Sequence, residues 1–530
     1  MKSRLWLTIV SCSLALIAIG LIGWWVSPTA QARPELSPVG VTRYVSLAGN
    51  DNLNTCTSSL APCRTVQHTI EQSQAGDEVH VAQGTYAGTM TAPGSVGPFS
   101  ATVVLTKNLF ALLGGYSSDF STRSPDVNTT VLSASDSPRK FVVYISNTTT
   151  LVDGFTLTGA TGACPTDCVV FQYIGGAVYI RGGAPTISHN RIQGNRAFYY
   201  GGGIAVAQYA TPVIVSNVIY SNTASYVDAG GLGGGIYIGS GSAVITGNVI
   251  ISNVADVEGG GLWINGTANV ISNVIAYNSA ISTTAGRGGG LRAVGDSFVT
   301  ISHNDVYSNT AASGGGGGID VSSPASVDGN YIHHNTAPWW GGALFANDSA
   351  QPITLTNNVV VRNYGTGITA NAVHDVYIIN NVAAYNVFAS VGSPGAGIQA
   401  GNYGVTPTEP MTATMLNNVL IGNADCGINS YNLQAVTVDF NDSYNNKYDY
   451  CELAWPNTGT HGIYTDPQFV NTTSGDYHVH FGSPAMNAGT NLAAPAYDRD
   501  GVKRPQMGRV DMGAYEVVAP HSVYLPTVLK

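Results

Sequence analysis

Five residues at matching positions of a repeat have the chemistry of a carbohydrate-binding surface. Tyr237, Trp263, Arg292, Asp320 and Phe345 each follow the first aliphatic residue of a glycine-rich step such as GGGIYI or GGGLWI. If the strands stack at about 4.8 Å per step, the five side chains form a row about 19 Å long. Aromatic faces pack on the C–H faces of sugar rings, and Arg and Asp hydrogen-bond hydroxyl groups. The row predicts an oligosaccharide site, although aromatic stacking within a sheet beside a surface ion pair would give the same pattern.

The row continues in both directions along the repeat. Equivalent positions before and after the five residues carry Tyr179, Ala205, Thr369, Gln399 and Asn429. We expect a chain-like ligand to lie lengthwise on such a row. Its contacts are predicted to come from Tyr179, Tyr237, Trp263, Arg292, Asp320, Phe345 and Gln399.

A repeat of 24 to 32 residues must position this row. Each period has the pattern GGxIxI, a loop, then xITxN and xIxxN, and its apolar and polar residues alternate as in half-buried strands. One coil alone cannot bury its inward Ile, Val and Leu side chains, so successive coils must stack. The sequence therefore predicts an all-β, right-handed parallel β-helix of three-stranded coils, about 12–13 in number.

Asparagines and glycines recur at fixed places in this repeat. Two asparagines five positions apart occur in each period, from Asn190 and Asn195 to Asn441 and Asn446. Stacked amides can hydrogen-bond along the axis, and Asn tolerates the left-handed conformation of a tight corner. The glycines supply positive φ and allow close backbone approach. Both features are predicted to be structural, because no helix start or Gly-Lys-Ser/Thr follows the glycines as a phosphate loop requires.

The two ends of the chain differ from the repeat. Residues 1–32 combine a basic start, an apolar run and the small residues Ala30-Gln31-Ala32, which is typical of a cleaved export signal. The apolar run, Leu5 to Val26, is also long enough to remain as a membrane anchor. Thr65 to Gln74 predicts a short amphipathic helix with Thr65 as its N-cap. The remaining boundaries are predicted as an N-terminal cap with the first coil at 33–100, the β-helix at 101–455, a turn-rich C-terminal cap at 456–516 and a tail at 517–530.

Cysteines and charge indicate the compartment and the partners. Six of the 7 cysteines follow the predicted signal, and in an oxidising compartment they predict three disulfides. The formal net charge of −10 argues against a nucleic-acid partner. We expect a monomer outside the cell or at its surface, with a polysaccharide or another surface component as partner. The cysteine pairs are Cys56 with Cys63, Cys164 with Cys168, and Cys426 with Cys451.

No metal site is predicted. His478 and His480 would share one face of a strand, but the sequence offers no third ligand. Asp498-x-Asp500-Gly501 lacks the downstream glutamate of a calcium loop.

Several segments together resemble secreted bacterial right-handed β-helix proteins of the pectin-lyase-like superfamily. They are YVSLAGNDN, the PCRTVQHTIEQSQAGDEVHVAQGTY block, the coils with glycines and asparagines, and DRDGVKRPQMGRVDMGAYE near the end. The resemblance extends from about Val41 to Glu516 and implies the fold and the organisation of the caps. It does not imply one activity, because the superfamily includes lyases, hydrolases, epimerases and adhesins.

Arg292 and Asp320 are the candidate catalytic residues if the chain is an enzyme. A lyase of this superfamily needs a base and a cationic group for the uronate carboxylate, and would take Ca²⁺; otherwise no cofactor is predicted. A hydrolase needs two carboxylates across a sugar, and Asp328 lies on another strand of the Asp320 coil. Binding to a polysaccharide or another surface is the predicted function. The alternatives are a polysaccharide lyase or glycoside hydrolase, and a structural adhesin or surface-layer spacer.

Overall fold

Three long sheets of stacked strands form the molecule. All neighbouring strands in them are parallel except the first pair of the sheet that carries the glycine-rich steps, which is antiparallel. The computed structural model describes residues 40–92, 99–135, 140–161, 175–225, 230–338, 341–347, 349, 351–388, 395–401, 411–431, 433, 435–452 and 459–518.

Sheet I contains the strands that follow the glycine-rich steps. Its 14 strands are Met90–Ala92, Phe99–Leu105, Lys140–Thr148, Val178–Gly183, Ile204–Ala207, Ile236–Ile238, Leu262–Ile264, Leu291–Val294, Ile319–Ser322, Leu344–Asn347, Ile368–Asn371, Ile398–Gly401, Cys426–Tyr431 and Tyr448–Cys451.

Sheet II contains the next strand of each coil. Its 14 strands are Thr42–Val45, Glu78–Ala82, Ala111–Tyr116, Leu151–Asp153, Thr186–Ser188, Val213–Val215, Ser242–Thr246, Thr267–Ile271, Val299–Ser302, Ala325–Asp328, Ile353–Thr356, Asp375–Ile379, Thr412–Leu416 and Ala435–Asp439.

Sheet III contains the third strand, which lies between the two asparagines of each later coil. Its 13 strands are Gly84–Tyr86, Thr130–Ser133, Thr156–Thr158, Arg191–Gln193, Val218–Tyr220, Val249–Ile251, Val274–Ala276, Asp305–Tyr307, Tyr331–His333, Val359–Val361, Val382–Ala384, Val419–Ile421 and Asp442–Tyr444. A ladder of two-residue strands follows it, at Arg196–Ala197, Thr223–Ala224, Val254–Ala255, Ser279–Ala280 and Thr310–Ala311.

The interior is one continuous column of aliphatic side chains. Ile236, Leu262 and Leu291 occupy the same position of successive sheet I strands, and all are fully buried. They pack against the inward residues of the other two sheets in a single cluster. The prediction of an all-β fold made of stacked coils is confirmed.

The asparagines form two ladders at the corners, as predicted. Asn248 donates from Nδ2 to Asn273 Oδ1 at 3.0 Å and to the Ile214 carbonyl at 2.8 Å, and its backbone N–H donates to the same Oδ1 at 2.9 Å. The expectation that these asparagines adopt the left-handed conformation is wrong for the ladder. The preceding residue has the positive φ, as at Ser252 and His303, while the ladder asparagine supplies the hydrogen bonds.

Each glycine triplet is required by close backbone contacts. In the step before Leu291, Gly288 has φ +60° and a Cβ there would lie 2.7 Å from Arg292 Cβ. A Cβ on Gly289 would lie 2.5 Å from the Gly317 carbonyl oxygen, and one on Gly290 2.5 Å from that of Gly318. The chain therefore folds tightly over the outer face of sheet I before it enters the strand.

Residues 463–517 pack along the outer face of sheet III, after Ile463 has formed a last parallel bridge with Asp442 of that sheet. Tyr477 and Met512 are buried against the valines of the strands Val359–Val361, Val382–Ala384 and Val419–Ile421. A short antiparallel pair, Phe469–Asn471 and Asp476–Val479, belongs to this segment. That the segment also closes the end of the solenoid stays a prediction.

The one α-helix of the described residues is Val66–Gln72. Thr65 is its N-cap, because its side chain accepts a hydrogen bond from the His68 N–H. Val66 and Ile70 are buried in the interior column. The predicted helix is present, and its role as an end cap stays a prediction.

Two of the three predicted disulfides are present, Cys56–Cys63 and Cys426–Cys451. The pair Cys164 and Cys168 lies outside the described residues, as do the predicted signal at 1–32 and most of the tail at 517–530. Within the described ranges, no helix has the length and apolar character needed to cross a membrane.

Candidate binding site on sheet I

The predicted row is aligned in register along sheet I. Tyr237 pairs with Trp263, Trp263 with Arg292, Arg292 with Asp320, and Asp320 with Phe345 on successive strands. The same register extends the row at both ends. The full row is Tyr179, Ala205, Tyr237, Trp263, Arg292, Asp320, Phe345, Thr369, Gln399 and Asn429.

The row lies outside the interior column, yet most of it is covered. Trp263 is 8% exposed, Phe345 2% and Asp320 0%, and only Tyr237 and Asn429 of the ten are half-buried. The glycine turns contribute to this burial, because their backbone passes directly over the row residues. The predicted row is therefore mostly buried, with few accessible side chains. We call this row of ten residues the seam.

Aromatic rings form a stack at the accessible part of the row. Tyr200 lies on Tyr237 with ring centroids 4.6 Å apart, and Tyr237 lies on Trp263 at 4.9 Å with planes only 4° apart. Ala205 lies between Tyr179 and Tyr237 in the register of the sheet. Tyr179 packs with Phe141 and Tyr144 in a cluster that Tyr237 also contacts.

A charged network follows the stack along the row. Arg292 forms an ion pair with Asp320 and donates to Ser322 Oγ at 3.0 Å. On its other side, Arg292 Nε lies 3.6 Å from Glu258 Oε1. Trp263 Nε1 donates to Glu258 Oε2 at 3.0 Å, which connects the aromatic stack to the charges.

Glu258 is the residue that the sequence prediction missed. It directly precedes the glycine step of its coil, and equivalent residues of neighbouring coils form isolated parallel bridges with one another. These bridges make a line beside the row, formed by Tyr200, Leu232, Glu258 and Arg287. Position within the repeat was the available signal, because a residue just before the glycines must lie beside the row.

Burial changes the acidity of Asp320. Desolvation raises the pKa of its carboxyl to about 6, although the charges of Arg292 and Arg287 act in the opposite direction. Glu258 raises it further through its negative charge. Asp320 is thus a buried acid whose charge changes near neutral pH.

Unpartnered polar atoms are concentrated on this row. Among the described residues, ten buried side-chain atoms have no hydrogen-bond partner, and five of them belong to row residues. Such atoms are rare in folded proteins and each costs stability. Their concentration on one line of one sheet makes this seam the candidate binding site. The five are Arg292 Nε, Asp320 Oδ2, Thr369 Oγ1, Gln399 Nε2 and Asn429 Oδ1.

A second outward row of sheet I adds amides next to the later part of the seam. Asn347 and Asn371 pair on adjacent strands, and Asn371 Nδ2 donates to Asn347 Oδ1 at 2.9 Å. Thr366 also contributes, because its hydroxyl donates to Gln399 Oε1 at 3.2 Å. The seam therefore changes from aromatic to charged to neutral and polar along its length.

Other residues considered from the sequence lie elsewhere. Asp328 is on sheet II, where its carboxylate accepts from Thr356 and from Asn357. His478 contacts Asp476 and Asp500 in the segment that covers sheet III.

The only cluster of potential metal ligands within the described ranges consists of Cys56, Cys63 and His68. The two sulfur atoms of this group are joined in a disulfide.

The coil geometry agrees with a family match over the same residues. The family model described as right handed beta helix region matches residues 140–306, 224–383 and 306–443, which together exceed half of the chain. The chain belongs to this right-handed β-helix family. No curated protein matches it.

Solved structures of β-helix proteins are similar at low identity. The complex of XylC with xylose matches at 11% identity and a TM-score of 0.49, and covers 90% of this chain and 98% of the other. The pectate lyase Pel9A matches at 15% and 0.38, with 90% and 96% covered. The periplasmic alginate epimerase AlgG matches at 11% and 0.41, with 71% and 77% covered.

Proposed function

We propose that this β-helix protein binds a polysaccharide along the sheet I seam, from Tyr237 to Asn429. The observation that carries the proposal is that half of the unpartnered buried side-chain polar atoms found among the described residues lie on that one row. Leaving a buried donor or acceptor unpaired costs about 1–3 kcal/mol. A ligand that supplies the missing partners accounts for a row that retains several such groups.

Access to the seam begins at the aromatic stack. Tyr237 and Glu258 are half-buried, so a ligand reaches them without a change of the sheet. A sugar ring can pack beside the Tyr237 and Trp263 rings while a hydroxyl group bonds Glu258. Further along the row Thr369 and Gln399 are 0% and 1% exposed, so binding there includes displacement of the surface that covers them.

Export is part of the proposal. The two disulfides support an oxidising compartment, since such bonds persist outside the cytosol. A protein at the cell surface or outside the cell meets polysaccharides there.

Affinity electrophoresis through gels that contain neutral or acidic polysaccharides tests binding directly. We expect retardation in at least one polymer, and a loss of at least tenfold in affinity for Glu258→Ala. Glu78→Ala is a matched control, because the Glu78 side chain is 17% exposed and that of Glu258 21%, and Glu78 pairs with His80 on sheet II. If no polymer retards the protein, or both variants weaken binding equally, the proposal fails.

Catalysis is the second candidate function, and the two carboxylates beside Arg292 favour it. Asp320 with its raised pKa would act as an acid while Glu258 acts as a base. Unsaturated product seen by ultraviolet absorbance indicates a lyase, and new reducing ends indicate a hydrolase. An activity that Asp320→Asn abolishes, with binding retained, would establish the enzyme in place of a simple binder. A protein that neither binds nor cleaves any polysaccharide in these assays would instead be a structural spacer.

A further inference from the structure

The charges that face the seam are balanced. Arg292 is paired with Asp320 and lies between it and Glu258. Arg287, the equivalent of Glu258 on the next coil, is the other cation of this region. Two cations thus face two carboxylates, and the whole chain has a formal net charge of −10. Among the described residues of this network, the formal charges of Arg292, Arg287, Asp320 and Glu258 therefore cancel, and none is left over to neutralise an acidic ligand.

The unpartnered atoms include both donors and acceptors. Arg292 Nε and Gln399 Nε2 are donors, Asp320 Oδ2 and Asn429 Oδ1 are acceptors, and the Thr369 hydroxyl is both. A hydroxyl group can donate and accept, whereas an ionised carboxylate only accepts. A ligand carboxylate next to Asp320 would also meet a like charge in a buried place.

We infer that the ligand is an uncharged polysaccharide, which presents hydroxyl groups and no carboxylates to Arg292 and Asp320. This inference rests on the proposed binding function and specifies its ligand class. Arg292 is held in the network by its two carboxylates. The row selects neutral chains because the positive charges of Arg292 and Arg287 are offset by the negative charges of Asp320 and Glu258, so an acidic chain gains no net attraction.

Matched polymers test the inference. Polygalacturonate and alginate are compared with their carboxyl-reduced forms, and xylan and mannan are added as further neutral chains. We expect at least one neutral polymer to bind at least tenfold more tightly than either acidic polymer. Equal or tighter binding of an acidic polymer overturns the inference but leaves the binding function intact. If no polymer binds, both fail.

Removing one negative charge beside Arg292 tests whether the local charge balance causes the preference for neutral chains. Glu258→Gln keeps an acceptor for the Trp263 N–H but leaves Arg292 and Arg287 opposite one carboxylate. We expect its affinity for polygalacturonate to rise at least threefold at low salt, with the gain lost at high salt. Glu78→Gln, which removes the same charge on sheet II, should leave that affinity unchanged. An equal rise in both variants, or none in Glu258→Gln, would show that the local balance does not set the specificity.

Discussion

Trp263 lies flat against Tyr237 of the preceding coil, with ring centroids 4.9 Å apart and planes 4° apart. The stack presents the half-buried edge of Tyr237 at the start of the seam. Because Trp263 both supports this edge and bonds Glu258, Trp263→Ala should lower glycan affinity at least tenfold in affinity electrophoresis. Tyr377→Ala is the control, since Tyr377 is a 38% exposed aromatic on sheet II. Unchanged retardation of the Trp263 variant would remove this residue from the site.

Alanine substitutions at Gly288 and Gly501 distinguish the energetic cost of backbone strain from that of steric overlap. Both have positive φ, but a Cβ on Gly288 would meet Arg292 Cβ at 2.7 Å, whereas one on Gly501 has nothing within 4 Å. Gly501→Ala should cost about 1–2 kcal/mol for the left-handed conformation. Gly288→Ala should cost about 1–3 kcal/mol more, because the overlap with Arg292 is added. Urea denaturation measures the difference, and equal costs would contradict the close packing of the turn on the row.

Asp442 predicts a pH dependence of stability. Burial raises the pKa of its carboxyl to about 7, and the charges of Asp466 and Asp449 act in the same direction. The folded state therefore holds a proton that the unfolded state releases above about pH 4, so stability falls as pH rises from about 4 to 7.

Asp442→Asn should remove up to about 4 kcal/mol of the decrease in the free energy of unfolding between about pH 4 and pH 7. The variant should therefore be more stable than wild type at pH 8. Denaturation curves at pH 5 and pH 8 measure the change. Asp466→Asn should have a smaller effect, because Asp466 acts on Asp442 only through its charge. An Asp442→Asn variant with the same pH dependence as wild type would contradict the assignment.

The buried pair Arg504 and Glu516 fixes the segment that covers sheet III. Arg504 Nη1 donates to Glu516 at 3.2 Å, and Nη2 donates to the Gly513 carbonyl at 3.0 Å. Arg504→Met leaves Glu516 buried without its cation, which should cost about 3–5 kcal/mol. Limited proteolysis should then cut between residues 463 and 517 at a protease concentration that leaves wild type intact. The exposed neighbour Lys503 gives the control Lys503→Met, and equal cutting of both variants would contradict the role of the pair.

The sequence predicts the coils because their determinants are local and repeated. The pattern around Asn248 and Asn273 specifies strand, corner and stacking within one period, so the ladder and its register follow from it. The row from Tyr237 to Phe345 follows from the same register. The burial of the row does not follow from the register, because it depends on how each glycine turn passes over the row side chain that comes after it in the chain.

Contacts between distant segments were harder to predict. Glu258 joins the site through Arg292, which is 34 positions away and on another coil. The placement of Tyr477 on sheet III depends on packing across more than 50 residues. A signal for that cover was present in Val359–Val361, which is apolar on both faces and therefore predicts a strand covered on both sides.

Thr369→Val is the most direct test of the central claim that the unpartnered row atoms exist to meet a polysaccharide. The exchange is isosteric and removes a hydroxyl that is fully buried and has no partner among the described residues. We predict that it raises the free energy of unfolding by about 1 kcal/mol and lowers glycan affinity at least fivefold. Thr148→Val, which removes a paired hydroxyl bonded to the Lys107 carbonyl at 2.9 Å, should lower stability and leave affinity unchanged. A Thr369→Val variant that binds as tightly as wild type would contradict the account.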